Sequence, residues 1–184
     1  MQFDSRYAVF VALMLTGCGK EAEHFDPPPP PVAPLVSETC GHQGFLTASL
    51  SGALEVDLDW RGTALQCESM RRPDDRGLRL RFTGDVSGER LGVIIAMPDL
   101  DPGDTGSDFD SLVTIIVDGS GRFFSTANLT SCWTEVRDNE LQADNTYVVA
   151  GILTCVSPLG EYNGSAFIDV RDLQFSGIAD WNAT

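Results

Sequence analysis

The densest group of side chains that could do chemistry is a run of aspartates between two apolar segments. Residues 99–110 contain five of them, with one proline and two glycines: Asp99, Asp101, Asp104, Asp108 and Asp110. Calcium is bound by about six to eight oxygen atoms, and carboxylates in turn-rich segments often supply them. The segment therefore predicts either a loop that binds calcium through these aspartates or a solvated loop whose carboxylates accept hydrogen bonds in turns.

Few residues favour catalysis. Of the two histidines, His24 lies just before a proline run and His42 lies beside Cys40. A hydrolytic triad needs a base next to its nucleophile, and the sequence contains no GxSxG, HExxH or phosphate-binding glycine motif. We therefore assign no catalytic residue and no cofactor other than calcium. A glycosidase-like hydrolase is kept as the alternative, because two of the many carboxylates could face each other across a cleft.

Cys18, the first of five cysteines, follows a short apolar segment near the start of the chain. That segment, residues 7–15, comes after Arg6 and is too short for a membrane-spanning helix, which needs about 20 residues. A positive charge, a short apolar core and small residues are typical of a secretory signal. If the signal were cut after a small residue, Cys18 would be an ordinary thiol.

The run Leu15-Thr16-Gly17-Cys18 resembles the lipobox of bacterial lipoproteins, and the resemblance covers only this signal. It implies that the chain is cut before Cys18, that the Cys18 thiol carries a diacylglycerol and that the new amino terminus is acylated. Two or more acyl chains make such an anchor stable. Gly19 stands where an aspartate would favour the inner membrane, so the resemblance implies an outer-membrane lipoprotein that faces the periplasm.

Composition divides the chain into three segments. We predict a signal peptide over residues 1–17, the lipidated cysteine with a proline-rich stalk over residues 18–36, and a single domain over residues 37–184. The stalk contains an unbroken proline run, Pro27 to Pro31, which excludes helix and favours an extended spacer of about 3.1 Å per residue. The remaining segment, roughly 150 residues, has the usual size of one domain.

The predicted domain contains the other four cysteines. An even number of cysteines in an exported protein favours disulfide bonds, although their pairing is not unique. We favour Cys40–Cys67 and Cys132–Cys155, because these partners are closest in sequence. The alternative is a metal site in which Cys40 and His42 act with another thiol.

The elements that must position these residues are strands. Apolar and polar residues alternate over long stretches, as in Leu54, Val56, Leu58 and Trp60, and turn residues separate the stretches. Strands are predicted at residues 45–50, 54–60, 78–83, 91–97, 112–117, 132–136, 147–156 and 166–175. Residues 138–146 could contain one helical turn. The pattern predicts an all-β antiparallel β-sandwich of about seven to nine strands, with a jelly-roll or immunoglobulin-like order.

The net charge and the aromatic residues indicate which kinds of partner the protein could bind. With 27 acidic and 12 basic residues, the net charge is −15, which disfavours nucleic acid and anionic lipid head groups as partners. Residues 121–133 and the tryptophans Trp60, Trp133 and Trp181 could stack on sugar rings, although core packing is the favoured use of Trp60 and Trp133. We expect a lipid-anchored envelope lipoprotein that acts as a binding or structural module, with a glycan or an envelope protein as ligand.

Overall fold

The computed structural model of the protein describes residue 40 and residues 43–71 and 76–181. Cys18, the proline-rich stalk and both histidines lie outside these residues. Eleven strands are present in the described part: β1 (Phe45–Gly52), β2 (Val56–Arg61), β3 (Gln66–Arg71), β4 (Leu78–Val86), β5 (Glu89–Met97), β6 (Gly106–Val117), β7 (Arg122–Ser125), β8 (Cys132–Leu141), β9 (Tyr147–Cys155), β10 (Leu159–Glu161) and β11 (Phe167–Ala179). Two short 3₁₀ turns, Gly62–Ala64 and Leu129–Ser131, are the helical elements described.

The strands form one antiparallel sheet whose middle is forked. The main path runs β2-β1-β11-β10-β7-β6-β5-β4-β3, and β8 and β9 form a second connection between β6 and β11. The first residues of β11 pair with β10, and its later residues, Leu173–Ala179, pair with β9. In the same way, β6 pairs with β7 near its end and with β8 near its start. Two bridges therefore join β6 to β11: β7–β10 and β8–β9.

The sheet folds over so that β4 lies across the core from β2 and β11. The rings of Phe82 on β4 and Phe175 on β11 have centroids 5.8 Å apart. A Cβ added to Gly84 on β4 would lie 2.5 Å from the Trp60 ring on β2, so the two backbones approach closely at this glycine. The expected all-β, antiparallel, sandwich-like fold is confirmed.

Several strand boundaries differ from the prediction. The short strands β3, β7 and β10 raise the number of strands to eleven. The predicted helical turn over residues 138–146 is wrong, because β8 continues to Leu141 and a non-helical turn follows. The acidic segment is also shorter as a loop than predicted, since β6 begins at Gly106 and contains Asp108 and Asp110.

Two disulfide bonds, Cys40–Cys67 and Cys132–Cys155, are present in the pairing that the sequence favoured. Their Cα atoms are 5.0 Å and 4.1 Å apart, respectively. Cys132 and Cys155 lie directly opposite each other on β8 and β9, whereas Cys40 precedes β1 and is bonded to β3. Each bond closes a loop of 27 or 23 residues, which corresponds to about 3 kcal/mol of stabilisation in the chain-entropy model.

Candidate functional site

The five aspartates of the predicted calcium loop are exposed and point to different partners. Asp99 Oδ1 lies 3.5 Å from Arg76 Nη2, Asp104 Oδ2 accepts a hydrogen bond from Asp101 N, and Asp108 accepts one from Ser107. Asp110 lies on β6, opposite Trp133 of β8. Within the described residues, no group of three or more His, Cys, Asp or Glu side chains is arranged to hold a metal ion. Calcium binding stays a prediction.

The loop that carries Asp101 and Asp104 is held from β8 by Asn139, a residue that sequence reasoning did not single out. Its side chain is buried, and Nδ2 donates hydrogen bonds to the carbonyl oxygens of Asp101, at 2.9 Å, and Asp104, at 3.1 Å. Its Oδ1 atom has no hydrogen-bond partner among the described residues. Asn139 therefore fixes the backbone of the loop while the carboxylates stay in water.

The aromatic residues fall into a buried group and an exposed group. Trp60 and Trp181 are buried in the core and Trp133 is half-buried, so core packing is confirmed for Trp60. The exposed aromatic residues lie elsewhere: Phe123 is 44% exposed, Phe167 is 49% exposed and Tyr162 is 76% exposed. Phe123 belongs to the segment proposed for sugar stacking, whereas Tyr162 and Phe167 were not predicted.

The register of β7, β10 and β11 brings these three aromatic residues to one face of the sheet. Tyr162 N donates to Phe123 O at 2.8 Å, so the two residues are neighbours across β10 and β7. Gly160, two residues before Tyr162, pairs with Phe167 of β11 on one side and Ser125 of β7 on the other. Paired residues of antiparallel strands, and residues two apart in one strand, have side chains on the same face. The side chains of Phe123, Tyr162 and Phe167 therefore lie on the outer face of the sheet, together with Ser125 and Gly160.

An open space lies above Gly160, between the strands that carry Phe123 and Phe167. A Cβ added to Gly160 would meet no described atom within 4 Å, whereas one added to Gly52 on β1 would lie 3.3 Å from the Phe167 ring. The Phe167 ring therefore extends over β1 and leaves the backbone of β10 uncovered. Neighbouring strands lie about 4.8 Å apart, so β7 and β11 are separated by about 10 Å. We call this feature, formed by Phe123, Gly160, Tyr162 and Phe167, the aromatic trough.

An ion pair on the opposite face supports the end of the trough that carries Tyr162. Arg122 Nε lies 2.6 Å from Glu161 Oε1, and the Arg122 guanidinium lies over the buried Phe124 ring. The hydrogen bond from Arg122 is the main cause that lowers the pKa of Glu161, and the same bond raises the pKa of Arg122. Glu161 Oε2 also accepts a hydrogen bond from Ala166 N at 3.3 Å. The bond from Ala166 closes the turn between β10 and β11, and the bond from Arg122 joins this turn to β7.

A cavity lies beside the β8–β9 hairpin. This cavity of about 800 Å³ is lined by carboxylates, amides and some apolar groups, and Asp138, Glu140 and Asp144 lie along it. We call it the acidic cleft. Hydrogen bonds from the hydroxyl and the backbone N of Thr146 lower the pKa of Asp144, which is the opposite of what a general acid requires. All three carboxylates are exposed, so the cleft is open to water.

Comparison with protein-family models, curated proteins and solved structures found no match to this chain. In the part of the chain that the structure describes, no helix is both long enough and apolar enough to cross a membrane.

Proposed function

We propose that this protein is a lipid-anchored envelope lipoprotein whose β-domain acts as a binding module, with the aromatic trough as its ligand site. One observation carries the proposal: three large aromatic side chains are exposed on one face around an uncovered glycine. Exposed aromatic area is unfavourable in water, and clusters of it on a soluble surface are characteristic of interaction sites.

The proposed anchor is Cys18, carrying a diacylglycerol on its thiol and an acylated amino terminus. The lipobox-like run before Cys18 supports this assignment, and the two disulfide bonds are compatible with an oxidising compartment. The proline-rich stalk would then hold the domain away from the membrane surface. The proposed location is the periplasmic side of the outer membrane.

The acidic cleft supports a second candidate, an envelope hydrolase of the glycosidase type. Asp138 and Glu140 are two residues apart near the end of β8 and both line the cleft. The Cα atoms of residues two apart in an extended strand are separated by about 6.7 Å, so the two side chains can reach the carboxyl separation of about 5 to 9.5 Å found in glycosidases. The binding module is the better-supported candidate, because these carboxylates are exposed and the pKa of Asp144 is lowered.

Co-sedimentation with envelope material tests the binding function. The full-length lipoprotein, purified in a nonionic detergent, is mixed with detergent-washed, lipid-free envelope from its producing bacterium. Phe123→Ala combined with Tyr162→Ala should weaken binding about tenfold, because each stacked ring contributes roughly 0.5 to 1.5 kcal/mol. The matched control is Leu141→Ala combined with Val156→Ala, two exposed apolar residues away from the trough, which should bind like the parent. Equal binding by both double variants would contradict the proposal.

A further inference from the structure

The exposed area of the trough limits the kind of ligand that it can bind. Phe123, Phe167 and Tyr162 are 44%, 49% and 76% exposed, so at about 200 Å² for each side chain they present roughly 340 Å². A stable protein–protein interface buries about 800 Å² on each partner. The rings are also separated by bare backbone at Gly160. The trough therefore fits a narrow ligand that places flat groups against separate rings better than it fits the surface of a folded protein.

Polar groups on the same face add hydrogen-bonding capacity next to the rings. Ser125, which pairs with Gly160, shares a hydrogen bond with Thr114 at 3.2 Å and donates one to Val113 O at 3.3 Å, so its oxygen can accept from a ligand. Asn163 and Ser165 are exposed in the turn after Tyr162. Asp169 follows Phe167 by two residues, so it lies on the same face of β11. Hydroxyls and amides can both donate and accept hydrogen bonds.

A ligand that matches both observations has flat apolar faces and a rim of hydroxyl groups. Sugar rings have this character, because their C–H groups form an apolar face that stacks on aromatic rings while their hydroxyls extend outward. A lipid chain would leave the polar rim of the trough without a partner. A strand of peptide would need a free sheet edge for its backbone, and β10 is already paired on both sides.

Charge narrows the class of glycan further. The chain has a net charge of −15, and Asp169 lies beside Phe167 on the same face of β11. Arg122, the cation nearest in sequence to Phe123, is paired with Glu161 on the inner face. Arg171 lies on the same face of β11 as Phe167, four residues further on, and the charge of Asp169 between them offsets it. An anionic polysaccharide would therefore be repelled and would gain no compensating cation from Arg122.

We infer that the ligand of the aromatic trough is an uncharged glycan that lies along Gly160 with its sugar rings against Phe123, Tyr162 and Phe167. This inference rests on the proposed binding function and specifies its ligand class. The glycan spans β7, β10 and β11 and makes its hydrogen bonds with Ser125 and the turn after Tyr162.

Affinity electrophoresis tests the inference with defined probes. The full-length lipoprotein in nonionic detergent is run on native gels that contain a β-glucan, a xylan, a mannan or the anionic polymer polygalacturonate. At least one neutral polysaccharide should retard the parent, and polygalacturonate should not. Gly160→Ile should weaken the retardation about tenfold or more, because the new side chain fills the open floor of the trough. Thr154→Ile adds the same side chain at an exposed position of β9 and should leave the retardation unchanged.

Two further measurements make the outcome decisive. The melting temperature of Gly160→Ile should match that of the parent, which shows that lost binding is not lost folding. If no neutral polysaccharide retards the parent, if polygalacturonate retards it equally, or if Gly160→Ile migrates like the parent in every gel, the inference is wrong.

Treatment of the envelope separates this inference from the proposed function. Periodate cleaves the vicinal diols of sugars, so co-sedimentation with periodate-treated envelope should fall, whereas protease treatment of the envelope should have no effect. If binding needs Phe123 and Tyr162 but survives periodate, the binding function stands and the glycan class is wrong. If the Phe123→Ala, Tyr162→Ala variant binds untreated envelope like the parent, the trough itself is wrong as the ligand site.

Discussion

Substitution of Gly84 by alanine should destabilise the domain, because the structure leaves no space for a methyl group there. The added Cβ would lie 2.5 Å from Cε2 and 2.8 Å from Nε1 of Trp60, closer than non-bonded carbon atoms approach. Trp60 is 5% exposed and Gly84 is buried, so the ring cannot move into solvent without opening the core. The clash lies between β4 and β2, the two strands that face each other across the core.

The size of the effect follows from two opposing contributions. Overpacking of a core costs about 1 to 3 kcal/mol, while replacing glycine by alanine stabilises by about 0.4 to 1 kcal/mol through the unfolded chain. The centres of these ranges, about 2 and about 0.7 kcal/mol, leave an expected net loss of roughly 1.3 kcal/mol, or about 3 to 5 °C in the melting temperature for a domain of this size. Urea unfolding followed by circular dichroism, with the disulfides intact, measures the change in the free energy of unfolding.

A matched glycine and a second-site change complete this experiment. Gly160→Ala places its methyl group in open space, so the free energy of unfolding should stay equal or rise slightly. Gly84→Ala combined with Trp60→Phe should lose less than the sum of the two single losses, because the smaller ring leaves room for the methyl group. A neutral Gly84→Ala variant, or strict additivity with Trp60→Phe, would refute the proposed packing of β4 on β2.

Three further outcomes are expected. Cys18→Ala should leave the precursor uncut and shift the protein out of the detergent phase in phase partitioning, and a variant that partitions like the parent would disprove lipidation. If the loop binds calcium, millimolar calcium should raise the melting temperature, because bound calcium at 100 times Kd adds about 2.7 kcal/mol to the free energy of unfolding. Asp101→Asn combined with Asp104→Asn should abolish this rise. A parent protein whose melting temperature does not change with calcium would show that the loop is only solvated. Because Arg122 lowers the folded-state pKa of Glu161, this carboxyl stabilises the domain above its unfolded pKa of about 4.3 and loses that effect as the pH falls. Acid titration of Glu161→Gln should therefore show a smaller loss of stability below about pH 5 than the parent, and parallel curves would contradict the ion pair.

The fold class could be predicted from the sequence because a strand that is buried on one side has alternating apolar and polar residues. Leu58 and Trp60 alternate with exposed aspartates in β2, and the same alternation marks most of the longer strands. Strand β10 shows no such alternation, because its three residues, Leu159–Glu161, are too few to reveal a period of two. The acidic residues of β6 were assigned to a loop because Asp108 and Asp110 lie on the exposed start of that strand, which lacks the apolar pattern.

The candidate site was less accessible to sequence reasoning, because it depends on which strands are neighbours. Phe123 lies about 40 residues before Tyr162 and Phe167, and the three residues meet only through the pairing of β10 with both β7 and β11. The residues that could have indicated the trough are Gly160 of β10 and Tyr162, which begins the turn after this strand. Neither residue belongs to an alternating apolar pattern. Gly160 contributes to the site because it has no side chain, which leaves the space above it open.

The disulfide between Cys40 and Cys67 also determines how the domain would respond to mechanical load. A pull applied to the chain before Cys40 reaches the covalent bond and passes directly to Cys67 on β3. Residues 41–66, which include β1 and β2, then form a loop outside the path of the force. Tension cannot peel β1 from β11 while the bond is intact, since a covalent crosslink does not extend with the chain. Reduction would place β1 and β2 under load, so the redox state of one bond decides which strands resist the force.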